Sequence, residues 1–502
     1  MPPDVTLVHA LFIDKDPVER KIMTPYFPLG LMYLAAVLRE RGYEVEMFDC
    51  AFRQDYAEFE RYMRRTRPPV VGITALATVR NNALALAEIA HEHGATVVLG
   101  GADPTGAPER YLGYRGSGGE YPVDAVVFKE GERTAVELAD HLFRRGDCAR
   151  DLRDVAGLRL RGPEGRGHAT AARPFAPDLD NLPFPARDLV DLDAYRDAWR
   201  KAHGYWSLGI INSRGCPYAC TWCQKAVFGR SYRTRSPANA AEELRQIKET
   251  FEPDHLRIVD DVTGVGRRWI SDWRDEVVAR DAVTSFECLS RANLIDEELV
   301  GALKDAGCRK IFLGAESGSQ KVLDAMNKEI TVDQVRRAAV LCRRAGIETY
   351  LYMMVGYPGE EWADLRLSVD LLRETLPDEF STTIAYPLPG TAFYEQVRDR
   401  LGFEGDCVPD WTYSAENRLL FQRDRHNTWF YRRVIRWFHD EWKDAWLRAG
   451  RRASLIEWLK IKIGLWRDRA LVSVLARMQG AAAIRFRPTE SASGDSGGAH
   501  AG

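Results

Sequence analysis

The chain has 502 residues, and its 70 Lys and Arg residues nearly balance 73 Asp and Glu residues, for a formal net charge of -3. This balance gives no overall argument for nucleic-acid binding. Hydrophobic residues at 45% and charged residues at 28% are typical of a soluble globular protein of roughly two to four domains and exclude wholesale disorder. No apolar run approaches the ~18 residues of a membrane-spanning helix. The first residues lack a signal-peptide pattern, so we expect a cytoplasmic protein.

Residues 1–148 alternate short apolar strands with helices. Strand patterns at 5–12, 44–48, 69–74, 96–101 and 124–128 alternate with helical patterns at 29–41, 56–65, 81–93 and 134–143. This alternation predicts a Rossmann-like, doubly wound α/β domain with a parallel sheet of about five strands. Ligands of such sheets bind beyond the carboxyl ends of the strands.

The periodicity weakens over residues 149–200, which predict a linker with a small hairpin. Six further strand and helix units over residues 201–410 predict a full or partial barrel, a (β/α)6 arrangement, with its active site at the carboxyl ends of the strands. Residues 411–487 are Trp- and Arg-rich helical patterns, and residues 488–502 form a small-residue tail that we expect to be disordered.

Three of the nine cysteines, Cys216, Cys220 and Cys223, form a C-x3-C-x2-C motif directly after the first strand of the second series. Zinc sites normally use four ligands, and no paired Cys or His follows at a suitable distance. Three thiolates on one loop suit a [4Fe-4S] cluster that keeps one iron free of protein ligands. The other six show no such spacing, and we expect them to be packing residues: Cys50, Cys148, Cys288, Cys308, Cys342 and Cys407.

This motif, with Trp222 before its last cysteine, resembles the signature of the radical S-adenosylmethionine (SAM) enzymes. In that family the open iron binds SAM, and one electron cleaves it to methionine and a 5'-deoxyadenosyl radical. The segments IVDDVTG, LSRAN and GAESGS resemble the later strand-end motifs of the same barrel. Alone, Asp260 or Glu316 would as often be a helix cap or a surface carboxylate. The resemblance implies SAM contacts from Trp222, Asp260, Asp261, Arg291, Glu316, Ser317 and Gly318.

The first domain lacks both G-x-G-x-x-G and a Walker Lys-Ser/Thr pair, so the standard nucleotide loops fit poorly. Its segments FPLGLMYLAAVLRERGYEVEMFD, GITALAT, LGGADPT and FKEGE resemble the cobalamin-binding domain fused ahead of radical SAM barrels. The D-x-H-x-x-G motif that ligates cobalt is absent, and we expect His9 to be packed, leaving cobalt without a histidine ligand. The resemblance implies cobalamin contacts from Gly72, Thr74, Gly100, Gly101, Pro104, Glu130, Gly131 and Glu132.

The C-terminal region is strongly basic: residues 423–487 contain 16 Lys or Arg and 6 Asp or Glu. Apolar residues recur at helical spacing in two sets, Phe430, Val434, Trp437 and Phe438, then Leu455, Ile456, Leu459 and Ile463. We expect a helical cap that packs these faces on the barrel. Peripheral contact with a membrane, and a surface for an anionic substrate or partner, are the alternatives.

The resemblance leads to one main hypothesis and two alternatives. The main hypothesis is a cobalamin-dependent radical SAM methyltransferase acting on an unactivated carbon, or less often phosphorus, of a specialised metabolite such as an antibiotic, of a lipid or of a peptide. It implies a [4Fe-4S] cluster, SAM, cobalamin and an electron donor such as flavodoxin or ferredoxin. The alternatives are an oxidative cyclase or ring-rearranging enzyme with the same cofactors, and a non-catalytic cobalamin or iron-sulfur sensor.

Overall fold

In the computed structural model, which describes residues 2–144, 151–162, 167–401, 426, 428–450 and 455–477, a first sheet lies at the N-terminus. Its strands run in the order β2-β1-β3-β4-β5-β6-β7. The first five are parallel, with Val5 opposite both Val45 and Val70, which confirms the predicted parallel sheet. The strands are β1 (Val5–His9), β2 (Val45–Asp49), β3 (Val70–Thr74), β4 (Thr96–Gly100), β5 (Ala125–Val127), β6 (Leu158–Arg161) and β7 (Gly167–Ala169).

The hairpin that we predicted in the linker is β6 and β7, and it extends the first sheet. β6 pairs antiparallel with β5, and β7 pairs antiparallel with β6. The physical reason is that β5 would otherwise end the sheet with unpaired backbone groups, which the hairpin satisfies. The first sheet therefore continues to Ala169, beyond the boundary at residue 148.

Helices cover both faces of the first sheet because alternate strand residues point to opposite sides. Val5 and Leu7 pack on one side with Leu31, Ala35 and Ala139, whereas Val8 packs on the other side with Phe59, Met63 and Leu86. The helices are α1 (Pro17–Ile22), α2 (Leu29–Glu40), α3 (Ala57–Thr66), α4 (Arg80–Glu92), α5 (Ala102–Gly106), α6 (Pro108–Leu112) and α7 (Glu132–Arg144).

The second sheet is the predicted partial barrel, with six parallel strands in the order β15-β14-β13-β12-β11-β8. A separate antiparallel pair, β9 and β10, flanks it. The strands are β8 (Ser207–Ile210), β9 (Ser213–Arg214), β10 (Arg233–Thr234), β11 (His255–Ile258), β12 (Phe286–Ser290), β13 (Cys308–Glu316), β14 (Glu348–Val355) and β15 (Glu379–Ile384).

The helices between these strands begin at polar caps that the local sequence supplies. Ser236 accepts a hydrogen bond from the backbone of Asn239, and Thr331 forms a capping box with Gln334. The helices are α8 (Leu192–His203), α9 (Pro237–Phe251), α10 (Arg267–Ala279), α11 (Glu297–Asp305), α12 (Gln320–Ala325), α13 (Val332–Arg344), α14 (Trp362–Thr375) and α15 (Ala392–Val397).

Two C-terminal helices follow, α16 (Thr428–Arg448) and α17 (Leu455–Arg477). The predicted packing face of α16, Phe430, Val434, Trp437 and Phe438, is buried in the core of the barrel, which confirms it. For α17, the prediction that Leu459 and Ile463 lie on its packing face is wrong. Leu459 and Ile463 are 44% and 63% exposed, because α17 contacts α16 through a different side.

Several sequence predictions lie outside the described residues or their described side chains. Cys148, Cys407 and the tail at 488–502 lie outside the described residues, and the side chains of Leu455 and Ile456 are not described. Cys50, Cys288, Cys308 and Cys342 are buried, as predicted. Among the described helices, none combines the length and apolar character that crossing a bilayer requires.

Candidate functional site

Two aspartates that follow β11 hydrogen-bond the segment from which the cysteine loop starts. The Asp260 carboxylate accepts hydrogen bonds from the backbone N–H groups of Asn212 and Ser213, at 2.7 and 3.0 Å. The Ser213 hydroxyl donates to it at 2.7 Å, and burial raises the pKa of Asp260 to about 6. Asp261 accepts from the backbone N–H of Gly215 at 2.9 Å. Both predicted SAM contacts thus hold the backbone that leads to Cys216.

Gly215 occupies a position that requires glycine. Its φ is +84°, and a Cβ there would lie 2.3 Å from the carbonyl oxygen of Ser231. A side chain would therefore meet both backbone strain and a backbone clash. Glycine at this point lets the chain turn from β9 into the cysteine loop.

Cys216, Cys220 and Cys223 are half-buried free thiols on this loop. Within the described residues, no three Cys, His, Asp or Glu side chains converge on one point that could hold a single ion. A cubane cluster does not need such convergence, because each thiolate binds a different iron. Burial raises the pKa of the Cys223 thiol to about 11, so cluster iron would have to displace its proton. The donor set of three unpaired thiols on one loop fits a [4Fe-4S] cluster.

Arg291 lies against the cysteine loop. Its Nη1 is 3.4 Å from the Sγ of Cys220, and its guanidinium lies 3.6 Å from the ring centre of Tyr218. Its Nη2 donates to the backbone carbonyl of Lys328. The positive charge of Arg291 is therefore held beside the thiol of Cys220.

Glu316 ends β13 in a left-handed conformation, with φ +60°. Its Oε1 lies 2.8 Å from the Nζ of Lys328, and both side chains are almost fully buried. Lys328 Nζ also lies 5.5 Å from the ring centre of Trp222. The Trp222 indole N–H is buried and has no hydrogen-bond partner among the described residues. The structure thus groups two predicted SAM contacts, Glu316 and Trp222, around a lysine.

Ser317 and Gly318 pack against α14. The Ser317 hydroxyl lies 3.2 Å from that of Ser368, and the Gly318 N–H donates to the Ser368 hydroxyl at 2.9 Å. A Cβ on Gly318 would lie 2.2 Å from the carbonyl oxygen of Leu367. These residues hold the turn that follows Glu316 against the helix layer.

A cavity of about 330 Å³ runs along the side of the first sheet that faces α2 and α7, from Val5 and Val70 at the start of their strands to Thr74 and Gly100 at the carboxyl ends. From the first domain it is lined by seven of the eight predicted cobalamin contacts: Gly72, Thr74, Gly100, Gly101, Glu130, Gly131 and Glu132. The eighth, Pro104, is buried in α5 and does not line it. From the second domain it is lined by Ile211, Arg214, Val227, Phe228 and Val259. The cavity therefore includes the strand ends where we predicted a ligand, and it also extends along the face of the sheet.

Two of the lining glycines lie in tight places, and backbone conformation and a backbone contact require glycine at Gly101. Gly101 has φ +110°, and a Cβ there would lie 2.6 Å from the carbonyl oxygen of Ala75. A Cβ on Gly72 would lie 2.9 Å from a methyl group of Leu7. Glycine at these positions allows neighbouring segments of the first domain to approach one another at the cavity wall.

Arg214 joins the two domains beside this cavity. Its guanidinium lies 2.6 Å from the Glu132 carboxylate and 3.3 Å from that of Glu130, and Arg233 lies 2.8 Å from Glu130. The predicted cobalamin contacts Glu130 and Glu132 are therefore engaged by arginines of the other domain. Arg214 was not among the residues predicted from the sequence, although a charged residue next to an apolar strand and two positions before Cys216 was a usable signal.

His9 is buried at the end of β1, as expected for a packed histidine. Its Nδ1 lies 2.9 Å from the Asp49 carboxylate, which also accepts a hydrogen bond from the Tyr195 hydroxyl at 2.7 Å. His9 is not among the residues that line the cavity. The absence of a histidine ligand to cobalt stays a prediction.

Comparisons with known proteins find matches to both the first and the second domain. A model of the B12 binding domain matches residues 17–139, and a model of the radical SAM superfamily matches residues 210–372. The uncharacterized methyltransferase PH0819 of Pyrococcus horikoshii is 29% identical over 383 residues, 75% of this chain and 80% of that protein. The anaerobic magnesium-protoporphyrin IX monomethyl ester cyclase of Rubrivivax gelatinosus is 28% identical over 382 residues, 74% of this chain and 67% of that protein.

Among solved structures, the fold is similar to that of the radical SAM methyltransferase TsrM from Kitasatospora setae, with cobalamin and a [4Fe-4S] cluster bound. The TM-score is 0.67 at 20% identity, covering 80% of this chain and 78% of that one. At this identity the likeness concerns the fold alone. The two domain matches, in this order along the chain, show that the chain belongs to the radical SAM enzymes that carry an N-terminal B12-binding domain.

Proposed function

We propose that this protein is a cobalamin-dependent radical SAM methyltransferase that methylates an unactivated carbon, or less often phosphorus, of a specialised metabolite, lipid or peptide. The observation that carries the proposal is the shared cavity. Its walls come from one sheet face and the strand ends of the B12-binding domain, and from Arg214, Val227 and Phe228, which flank the cysteine loop. When bound, cobalamin would supply a methyl carrier, and the cluster with SAM would supply a 5'-deoxyadenosyl radical.

The residues of this chain have separable tasks in that reaction. Cys216, Cys220 and Cys223 would ligate the cluster, and Arg291 holds positive charge beside Cys220. Trp222, Glu316 and Lys328 form the group that we assign to SAM. The ion pairs of Arg214 join the two domains beside the cavity.

The test uses SAM with a deuterated methyl group and the anaerobic, cobalamin-loaded protein. We expect the label to appear in the bound cobalamin, and in the product of any accepted substrate, as measured by mass spectrometry. Cobalamin and products without label, while 5'-deoxyadenosine still forms, would refute methyl transfer. That result would favour the cyclase alternative, which the similarity to the Rubrivivax enzyme supports.

A pair of cysteine variants separates catalysis from a sensor role. Cys220→Ala should abolish the formation of 5'-deoxyadenosine, whereas Cys288→Ala, in the buried core of the barrel, should preserve it. Equal SAM cleavage by both variants would argue against radical chemistry at the loop. An electron donor such as flavodoxin or ferredoxin remains part of the proposal.

A further inference from the structure

The outer side of α17 carries apolar side chains that the described part of the chain leaves exposed. Leu459, Ile463, Trp466 and Val474 are 44, 63, 76 and 56% exposed, and Ala470 between them is also exposed. Their separations of three and four residues place them on one side of the helix. We call these five residues the outer stripe.

The outer stripe is separate from the face by which α17 joins the fold. That face consists of Leu465, Asp468, Val472 and Ala476, all buried. Asp468 is fully buried and lies near Arg433 of α16 and Arg467. Single exposed apolar residues are ordinary on protein surfaces, but a contiguous stripe marks an interaction site.

Basic residues border the outer stripe on both sides. At about 100° per residue, Lys460 and Arg467 lie along one edge and Lys462 and Arg469 along the other. Asp468, on the opposite side, is the only acidic residue of 458–477. Lys462 and Arg469 also contact Asp444 and Glu441 of α16. Three of these cations, Lys462, Arg467 and Arg469, are therefore partly neutralised by carboxylates on the buried side of the helix. Within residues 458–477, the outer stripe itself faces no acidic side chain.

We propose that α17 lies along the surface of a bilayer that contains anionic lipids, with the outer stripe at the boundary between headgroups and acyl chains. Aliphatic side chains and tryptophan suit that depth, and lysine and arginine at the edges reach phosphate groups. A second copy of the chain is a poorer occupant, because a two-fold contact would bring basic edges together. Binding to lipid does not depend on the methyl-transfer proposal and can be measured without turnover.

The experiment is flotation of the full-length protein with vesicles, in which bound protein rises with the lipid. Vesicles of phosphatidylcholine mixed with phosphatidylglycerol should carry the protein upward, and vesicles of phosphatidylcholine alone should carry much less. Replacing the two most exposed apolar residues, Ile463→Ser with Trp466→Ser, should weaken binding to anionic vesicles by about tenfold or more. Lys460→Glu should weaken it roughly tenfold and reduce its dependence on salt.

The matched control replaces two exposed valines that stand alone on other helices. Val278 on α10 and Val340 on α13 are 53% and 41% exposed, so Val278→Ser with Val340→Ser removes exposed apolar surface from two other helices, outside the stripe. This variant should float like the wild type, and all variants should keep the wild-type melting temperature.

Three results would overturn the proposal. They are failure of the wild type to float with anionic vesicles, equal flotation with both kinds of vesicle, and equal loss in the control variant. Sedimentation velocity tests the alternative, in which a second copy of the chain covers the outer stripe. A dimer that Ile463→Ser with Trp466→Ser converts to monomer, with no flotation of the wild type, would assign the stripe to a second copy.

Discussion

At the scale of single residues, the least expected feature is the buried lysine beside Glu316. Lys328 and Glu316 are both nearly inaccessible to solvent, and their charged atoms are 2.8 Å apart. A Cβ on Gly314 would lie 2.6 Å from each of those atoms, so the glycine leaves room for the pair. A buried charge that loses its partner is costly, because neither water nor another cation replaces it. The pair therefore fixes the carboxylate that we assign to SAM.

Replacing Lys328 tests this role. We expect Lys328→Met to lower the free energy of unfolding by about 3 kcal/mol, measured by denaturant unfolding, and to weaken SAM binding, measured by equilibrium dialysis. Lys328→Arg should recover part of both losses because it keeps the positive charge. The matched control is Lys304→Met, since Lys304 is exposed on α11 and donates to the carbonyl of Gly346. If Lys328→Met and Lys304→Met behave alike, Lys328 does not position Glu316.

At the scale of elements, the turn from β9 into the cysteine loop depends on backbone geometry more than on side chains. Gly215 combines φ +84° with a backbone oxygen in the place of a Cβ, and its N–H donates to Asp261. Gly209 on β8, by contrast, has no heavy atom within 4 Å of a built Cβ. The two glycines lie close together in the chain and differ in whether a Cβ can be accommodated.

We predict that Gly215→Ala displaces the start of the cysteine loop and lowers the iron content after anaerobic reconstitution to less than about half of wild type, while destabilising the fold by about 1–3 kcal/mol. Gly209→Ala should leave both quantities close to wild type. Iron and sulfide assays with thermal unfolding measure the difference. A fully loaded Gly215→Ala protein would show that the loop tolerates the change.

Elements with a strong local pattern were predictable, and contacts between distant segments were not. The six barrel strands and the cysteine loop follow from periodicity and spacing within short windows. The face of α17 was mispredicted because Leu459 and Ile463 have helical spacing, yet docking on α16 selects Leu465 and Val472. The pairing of Arg214 with Glu130 and Glu132 joins residues more than 80 positions apart, which no local pattern encodes.

At the scale of the whole molecule, the two domains meet through buried charge as well as apolar packing. Arg214, Glu130 and Glu132 are each buried, and their ion pairs cross the boundary beside the cavity. Arg39 and Asp188 also form an ion pair between distant segments, but both side chains are exposed. An arginine–carboxylate ion pair should therefore contribute very differently to the free energy of unfolding at the two sites.

Replacing each arginine by methionine measures that difference. Arg214→Met should lower the free energy of unfolding by about 3–5 kcal/mol and increase proteolysis between the domains, because two buried carboxylates lose a cation. Arg39→Met should cost less than about 1 kcal/mol. Limited proteolysis and denaturant unfolding provide the two measurements. Similar effects of the two replacements would mean that the buried pairs do not hold the domains together.

The position of α16 determines which fragments of this chain can fold. Trp437 stacks on Trp362 of α14 at 5.0 Å, Trp442 packs on Phe380 of β15 at 5.3 Å, and both Trp442 and Trp446 donate to the carbonyl of Pro377. Helix α16 thus packs against the outer side of β15, the last strand of the barrel. A fragment that stops at residue 401 would expose Trp362 and Phe380 and tend to aggregate. A fragment that stops at Gly450 would keep this cover but would lose the α17 cations that pair with Glu441 and Asp444. We therefore expect a stable barrel to require α16 at least.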